Sequence, residues 1–192
     1  MTTEIRAQSE TARWFRSFGT LRGTAPTFDL AHLPDEPTEL FLDWLREAEL
    51  AGVPEPLAAT LATIGVDGLP DARTLLVKDM TALGWAFAGP RSSAKASQLA
   101  ANPGAALNFW WQPLLRAVRV RGSVVEASPS EIEAEIAARQ TATASDDWML
   151  WWIRPVRVEF WQGAVSRNHT RLVYESDRGH WTHRVIGGER RE

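Results

Sequence analysis

Cysteine is absent from this 192-residue chain, which has only four histidines and one tyrosine. Without thiols the chain forms no disulfide and offers no thiolate ligand to a metal. The small number of histidines also argues against a zinc site, and we therefore predict no bound metal. The net charge of −3 at pH 7 argues against binding to nucleic acid or to an anionic membrane. No apolar run has the length of a membrane span, and residues 1–15 lack the apolar core of a signal peptide. These absences together predict a cytoplasmic protein.

Tryptophan is abundant instead: there are ten, and two pairs are adjacent, Trp110-Trp111 and Trp151-Trp152. Successive side chains of a strand point to opposite faces, so each pair is expected to place one ring inward and one outward. An outward indole leaves an exposed apolar patch unless a second subunit or a flat ligand covers it. The alternative, that all these rings are ordinary core residues, stays open.

The distribution of turn residues and of apolar periodicity predicts one domain. Residues 1–35 combine scattered charges with glycine and proline and show no sustained period, so we predict a flexible N-terminal arm. Residues 36–192 are predicted to form a single domain. Helices are expected at 38–50, 93–101 and 128–139, and strands at 58–64, 72–78, 84–88, 105–111, 117–127, 153–162, 172–175 and 181–185. Many antiparallel strands with few helices predict a mainly-β fold, a small barrel with peripheral helices.

One stretch concentrates groups that bind ligands. Residues 159–163 read Glu-Phe-Trp-Gln-Gly, and Arg167, His169 and Arg171 follow with a period of two. In a strand, Glu159 and Trp161 share one face. Guanidiniums bind phosphate or carboxylate in a bidentate manner, and an indole offers a flat wall to a planar ring. A polar strand edge with a core tryptophan is the alternative interpretation.

Two further segments suggest anion binding. Residues 73–78 form a strand that begins with Arg73 and ends with Lys78, with Arg73, Leu75 and Val77 expected on one face. Ser93-Ala94-Lys95 opens a predicted helix, where free backbone N–H groups and a lysine favour an anion. A surface strand with terminal charges and an ordinary serine cap are the alternatives.

From about residue 37 to 185, these segments follow one another along the chain as in the pyridoxine/pyridoxamine 5′-phosphate oxidase family, which the sequence resembles. The fold of that family is an antiparallel FMN-binding split β-barrel. The resemblance implies a homodimer with FMN at the subunit interface that oxidises pyridoxamine or pyridoxine 5′-phosphate to pyridoxal 5′-phosphate with O₂. Arg167 and His169 would be the catalytic residues that position the reacting end of the substrate. The implied FMN contacts are Arg73, Thr74, Leu75, Leu76, Val77, Ser93, Lys95, Trp161 and Arg171. The implied substrate contacts are Lys78, Arg139, Thr143, Arg167 and His169.

The chain departs from the family pattern at several of these contacts. Ala88, Ala94 and Ala117 replace polar or charged residues near the flavin, and Glu135 replaces a tyrosine that binds the substrate phosphate. A family segment between Thr143 and Trp148 is missing. These departures leave three alternatives: a flavin oxidoreductase for another planar substrate of the phenazine type, a non-catalytic barrel that binds flavin or haem, and a deazaflavin-using reductase.

Overall fold

The computed structural model describes residues 9–138 and 147–188 of the chain. Its helices are α1 (Glu10–Ser17), α2 (Pro37–Leu50), α3 (Ala94–Ala101) and α4 (Pro129–Ala138). Its strands are β1 (Ala58–Ile64), β2 (Pro70–Thr81), β3 (Gly84–Pro90), β4 (Gly104–Trp111), β5 (Arg116–Glu126), β6 (Trp148–Gln162), β7 (Thr170–Asp177) and β8 (His180–Gly187). None of the described helices has both the length and the apolar character needed to cross a membrane.

The strands form one antiparallel sheet that closes on itself. Its order is β3-β2-β1-β4-β5-β6-β7-β8, and β3 also pairs with β6, so β1 to β6 make a barrel from which β7 and β8 extend. The predicted mainly-β antiparallel barrel with peripheral helices is confirmed. The main difference is in length, since β2 and β6 are longer than the strands expected from the sequence.

Helix α2 packs against the barrel interior through one apolar stripe, as the helical spacing of its apolar residues in the sequence predicts. Leu40, Phe41, Trp44 and Ala48 are buried on one side of the helix. The Phe41 ring lies 5.0 Å from the ring of Phe109, centroid to centroid, in an edge-to-face arrangement. Aromatic pairs of this geometry add to the free energy gained from burying their area.

A buried guanidinium joins α2 to the sheet. The Arg116 side chain is 1% exposed, and its Nη1 donates to Glu47 Oε2 at 2.9 Å while its Nε donates to Gln162 Oε1 at 2.9 Å. The guanidinium also lies 4.0 Å from the centre of the Trp44 ring, a cation–π contact. Burial lowers the pKa of Arg116, and the Glu47 carboxylate opposes that shift.

The segment before α2 runs along the barrel. The Thr24 N–H donates to the Pro113 carbonyl at 2.8 Å, Gln162 Nε2 donates to the Pro26 carbonyl at 2.9 Å, and the buried Tyr174 hydroxyl donates to the Pro34 carbonyl at 2.8 Å. Further towards the N-terminus is α1, whose first turn is capped by Ser9. The sequence indicated neither this helix nor these contacts, and the predicted division of the chain at residue 35 stays a prediction.

The two tryptophan pairs behave differently. Trp111 is buried and Trp110 is 47% exposed, as the alternation of a strand predicts. Trp151 packs in the main core and Trp152 lies on the opposite, outer face of β6, so the alternation holds here too, although both rings are buried. The reason is that α4 covers the outer face of β6 here, and the Trp152 Nε1 donates to Glu131 Oε1 at 3.1 Å.

We predict that Arg116→Ala lowers the free energy of unfolding by about 3 kcal/mol, because it removes the hydrogen bonds to Glu47, Gln162 and the Thr27 carbonyl and leaves the Glu47 carboxylate and Gln162 Oε1 without this donor. Glu47→Gln is expected to cost about 1 kcal/mol, because Glu47 is partly exposed and the remaining amide still accepts a hydrogen bond. Urea denaturation at one fixed protein concentration measures both values.

The neighbouring Arg46 provides the control, since it pairs with Asp43 at 2.8 Å on the exposed side of the same helix. Arg46→Gln is expected to change the free energy of unfolding by less than about 0.5 kcal/mol. An Arg116→Ala variant as stable as Arg46→Gln would contradict the importance given to the buried guanidinium.

Candidate functional site

A cavity of about 230 Å³ lies on the outer face of the sheet beside Trp161. The register places Trp161 opposite Ala117 and Ala117 opposite Trp110, and the two indoles are 5.9 Å apart, centroid to centroid. The residues that line the cavity are Asn108, Ala117, Arg119, Glu159, Trp161 and Arg171. Glu159 and Trp161 thus share one face as predicted, while Phe160 points into the core.

Three guanidiniums surround the Glu159 carboxylate at this cavity. Glu159 is 7% exposed, and it accepts hydrogen bonds from Arg119 Nη2 at 2.8 Å and from Arg157 Nη2 at 3.0 Å. The Arg171 Nε is 3.9 Å from Glu159 Oε1. The Arg157 Nε also lies 3.7 Å from Glu175 Oε1, and Arg157 does not line the cavity, so one carboxylate faces the two lining cations Arg119 and Arg171, and the cavity favours an anionic or hydrogen-bond-accepting group. Arg119 was not among the residues predicted from the sequence. The β5–β6 register identifies it, because it places Arg119 opposite Glu159.

The loop between β6 and β7 holds the two predicted catalytic residues. Arg167 has a φ of 68°, and its Nη2 donates to Thr20 Oγ1 at 3.0 Å. His169 Nδ1 accepts from the Ala164 N–H at 3.0 Å, and its ring lies 4.9 Å from that of Trp161. Because Nδ1 is an acceptor, a neutral His169 carries its proton on Nε2. The expected strand alternation of residues 167, 169 and 171 is wrong, since a turn after Gly163 leaves only Arg171 in β7.

A second group of polar residues lies at one end of the barrel, around Arg73. The Arg73 side chain lies on the core-facing side of β2, as predicted together with Leu75 and Val77. Its guanidinium donates to Asp71 Oδ2 and to Gln98 Oε1, both at 2.8 Å, and to the Thr63 hydroxyl. The hydrogen bond from Gln98 holds the pKa of Asp71 below its usual value. These partners come from three separate elements, so no local pattern in the sequence indicated them.

Lys95 is the cation next to Arg73. Its Nζ donates to Ser93 Oγ at 3.2 Å and lies 5.8 Å from the centre of the Trp151 ring. A Cβ at position 89 would collide with this Nζ, so Gly89 provides the space that the lysine occupies. Burial, and then the charge of Arg73, lower the pKa of Lys95. Two adjacent, half-buried cations are the electrostatic arrangement that a bound anion stabilises.

The start of α3 contributes less than the sequence suggested. Ser93 is the N-cap residue, but its hydroxyl donates to the Pro90 carbonyl at 2.6 Å and makes no capping hydrogen bond to the helix. The first helical residue is Ala94, which is exposed and carries no charge. Lys95 is therefore the group of this segment that is best placed to contact an anion.

The outward side of β2 carries the other predicted contacts. Thr74, Leu76 and Lys78 alternate with the inward residues and are exposed. Lys78 lies at a groove of about 340 Å³ between the end of β2 and α4. Thr74 is the first of a row of directly paired residues that crosses the outer face of the sheet. The row runs from Thr74 to the cavity beside Trp161 through Thr60, Asn108, Arg119 and Glu159. The predicted substrate contacts Arg139 and Thr143, with the segment that follows Thr143, lie outside the described residues.

The structure therefore divides the predicted site into parts. Arg73 and Lys95 are together on the core-facing side near the β1–β2 turn, where Thr63 pairs with Asp71. Trp161, His169 and Arg171 are together on the outer face near the β4–β5 turn, where Trp110 pairs with Ala117. The two groups lie on opposite faces of the sheet and towards opposite ends of the strands.

The sequence was compared with known protein families. The family model described as pyridoxamine 5′-phosphate oxidase matches residues 45–162. A second family model, described as the pyridoxine 5′-phosphate oxidase C-terminal dimerisation region, matches residues 148–186. A pyridoxine/pyridoxamine 5′-phosphate oxidase of Thermosynechococcus vestitus is 36% identical, over 77% of this chain and 86% of the relative. The protein of the same name from Azorhizobium caulinodans is 40% identical, over 74% of this chain and 84% of the relative.

Solved structures agree on the fold. PhzG from Burkholderia lata 383, in complex with tetrahydrophenazine-1-carboxylic acid, superposes with a TM-score of 0.81 at 21% identity, covering 86% of this chain and all of that one. A pyridoxamine 5′-phosphate oxidase-related, FMN-binding protein from Nostoc punctiforme has a TM-score of 0.64 at 18% identity, covering 79% of this chain and 97% of that one. The barrel is thus the split barrel that the sequence resemblance implied. The extent of the family match and the identity of the relatives lead to one conclusion: the chain belongs to the pyridoxamine 5′-phosphate oxidase family.

Proposed function

We propose that the protein is an FMN-dependent oxidoreductase whose flavin is held jointly by two copies of the chain. The observation that carries the proposal is the pair of half-buried cations, Arg73 and Lys95. Within the described residues Lys95 contacts a hydroxyl and a ring but no carboxylate. A phosphate of FMN would supply the missing negative charge. The absence of a side chain at Gly89 supports this role, because it leaves the space in which the Lys95 ammonium lies.

The cavity beside Trp161 suits the planar ring system of FMN, at the opposite end of the cofactor from the phosphate. Trp161 offers a flat apolar wall, and Arg119 and Arg171 provide hydrogen-bond donors for the polar edge of a planar ring. Glu159 holds these donors in place. Ala117 is small, so the cavity floor makes no polar contact where the family resemblance implies one.

A homodimer brings these two parts together. They lie on opposite faces within one chain, so a single flavin contacts both only if each copy provides one of them. The outer face carries the exposed apolar side chains of Leu76 and Trp110, 42% and 47% exposed, which a second copy would cover. The match of residues 148–186 to a dimerisation region supports the same assembly.

His169 and Arg167 are the residues proposed to position the substrate. Bound FMN supplies the redox chemistry by accepting a hydride from a substrate carbon and returning the electrons to O₂. The Nδ1 of His169 accepts from the Ala164 N–H, and no hydrogen bond of its Nε2 occurs among the described residues, so we propose that Nε2–H donates to a substrate oxygen or nitrogen. Arg167 adds a guanidinium on the same loop. The first reaction to test is the oxidation of pyridoxamine or pyridoxine 5′-phosphate to pyridoxal 5′-phosphate. This is the reaction that gives the relatives their name.

A non-catalytic flavin-binding barrel is the second candidate. The small residues Ala88, Ala94 and Ala117 at implied flavin contacts favour it, because a lost neutral hydrogen bond weakens binding by about 1 kcal/mol and a lost charged contact, as at Ala94, by about 1.5–3 kcal/mol. Release of hydrogen peroxide on addition of a substrate distinguishes the two: the proposed oxidoreductase releases it, and a binding protein does not.

We predict that the purified protein retains the visible absorption bands of flavin after addition of FMN and desalting. Lys95→Met is expected to weaken FMN binding about ten- to a hundredfold, since it removes a charge-assisted contact to the phosphate. Titration monitored by flavin fluorescence measures the affinity.

Riboflavin, which lacks the phosphate, provides the control ligand. Its affinity is expected to be the same for the wild-type protein and for Lys95→Met. An equal loss of FMN and riboflavin affinity would show that Lys95 does not bind the phosphate, and a protein that retains no FMN would refute the proposal.

The outer face leads to a prediction about assembly. Trp110→Glu is expected to convert the dimer into a monomer, because it places a charge in the apolar part of the proposed interface. Sedimentation velocity distinguishes the two species. Leu50→Glu is the matched control, since Leu50 is 87% exposed on α2 and should leave the dimer intact. A wild-type protein that sediments as a monomer would contradict the shared flavin site.

A further inference from the structure

Asn168 lies between the two residues proposed to position the substrate, Arg167 and His169, but its side chain contacts a different element. The Asn168 Oδ1 accepts a hydrogen bond from the Gly188 N–H at 3.2 Å, directly after the end of β8. The two bonded residues are 20 positions apart, so this bond joins the loop between β6 and β7 to the end of the outermost strand. The loop that carries Arg167 and His169 therefore has an attachment outside the two strands that it connects.

The end of β8 also comes very close to the backbone of His169. Gly187 pairs with Thr170, the first residue of β7. A Cβ at Gly187 would collide with the His169 carbonyl oxygen, so only glycine allows the two backbones to approach in this way. Gly187 and Gly188 have φ values of 72° and 85°, in the left-handed region that glycine adopts without strain. The two glycines therefore let β8 end against His169 and turn the next N–H towards Asn168.

The loop has a strained backbone next to Asn168. The Arg167 N–H donates to the Ala164 carbonyl at 2.9 Å and closes a turn, in which Arg167 has a φ of 68°. This region is unfavourable for a residue with a Cβ, and such a conformation persists only where the surrounding contacts hold it. Asn168 follows directly, so its bond to Gly188 holds the backbone between the strained residue and His169.

The orientation of the His169 ring depends on this backbone. The ring accepts the hydrogen bond from the Ala164 N–H at Nδ1, 3.0 Å away, and lies 4.9 Å from the Trp161 ring, centroid to centroid. A hydrogen bond weakens steeply when its donor and acceptor lose their alignment. A displaced His169 backbone would therefore weaken the bond that orients the ring, and with it the direction in which Nε2 points.

We propose that Asn168 and the glycine pair Gly187-Gly188 are positioning residues, which hold the His169 ring against Trp161 in the orientation used for substrate oxidation. Asn168 acts through its bond to Gly188, and Gly187 acts by letting β8 end against the His169 carbonyl. The role in oxidation rests on the proposed function. The placement of the ring is a property of the protein without flavin or substrate, and it is tested separately.

The first measurement is the NMR spectrum of the imidazole ring protons in the full-length protein without added FMN, at about pH 8.5, where an ordinary histidine is neutral. The chain has four histidines, so the spectrum of His169→Gln assigns the His169 signals. The ring current of the Trp161 indole displaces these signals from those of a solvent-exposed histidine. We expect Asn168→Ala to move them towards the exposed position and Gly187→Ala to move them further. Asn168→Asp keeps the hydrogen-bond acceptor and should leave them in place.

Gly179→Ala is the matched control for the glycine pair. Gly179 has a φ of 89° directly before β8, but a Cβ there meets nothing within 4 Å. The variant therefore has a comparable backbone strain without the collision at His169, and the His169 signals should not move. Asn168 is exposed, so Asn168→Ala decides the test where Gly187→Ala does not fold. Unmoved His169 signals in Asn168→Ala, or an equal displacement in Gly179→Ala, would overturn the inference.

The consequence for catalysis is measured as the rate at which pyridoxamine 5′-phosphate reduces bound FMN in the absence of O₂. Asn168→Ala is expected to lower this rate about two- to tenfold, the effect of one hydrogen bond, and Asn168→Asp to restore it to within about twofold of the wild-type rate. The FMN affinity should stay unchanged in both variants. A displaced His169 ring with an unchanged reduction rate would overturn the role in oxidation.

Failure of the proposed function gives a different result. A wild-type protein that retains no FMN, or whose FMN is not reduced by pyridoxamine 5′-phosphate, would overturn the role in this oxidation. The NMR spectra would still decide whether Asn168 and Gly187 place the His169 ring, because they are recorded without flavin or substrate.

Discussion

The buried guanidinium of Arg116 is the constraint on which the arrangement of the site depends. A charge removed from water is tolerated only when its donors are paired, so Glu47, Gln162, the Thr27 carbonyl and the Trp44 ring are held around it. These partners belong to α2, β6 and the segment before α2. Gln162 follows Trp161 directly, and the Gly163 N–H donates to the Leu115 carbonyl beside Arg116. The core contact thereby fixes the strand end that presents Trp161 and begins the loop of His169.

Charge is distributed unevenly over the rest of the molecule, and each part has a distinct role in the proposed site. Arg73, which pairs with Asp71, and Lys95 place positive charge at one end of the barrel, and Arg119 and Arg171 outnumber Glu159 at the cavity on the outer face. The two positive regions suit the phosphate and the polar ring edge of the proposed flavin. The overall net charge of −3 conceals these positive regions.

Local periodicity in the sequence was enough to predict the antiparallel barrel, the buried stripe of α2, the alternation along β2 and the common face of Glu159 and Trp161. It failed where contacts distant in sequence decide the outcome. Trp152 is covered by α4, where the sequence suggested a second subunit or a flat ligand. The pairing of Arg119 with Glu159 depends on strand register, and the surroundings of Arg73 come from three elements. Such features require the fold to be known first.

The most direct test of the shared flavin site is complementation between two defective variants, Lys95→Met and Trp161→Ala. Each variant alone is expected to bind FMN weakly, because every site lacks one of its two halves. When the two are mixed and allowed to exchange subunits, mixed dimers contain one site with both native residues, so we expect tight FMN binding to reappear in part of the sample. If no tight binding appears although mixed dimers form, Lys95 and Trp161 do not hold one flavin between two copies.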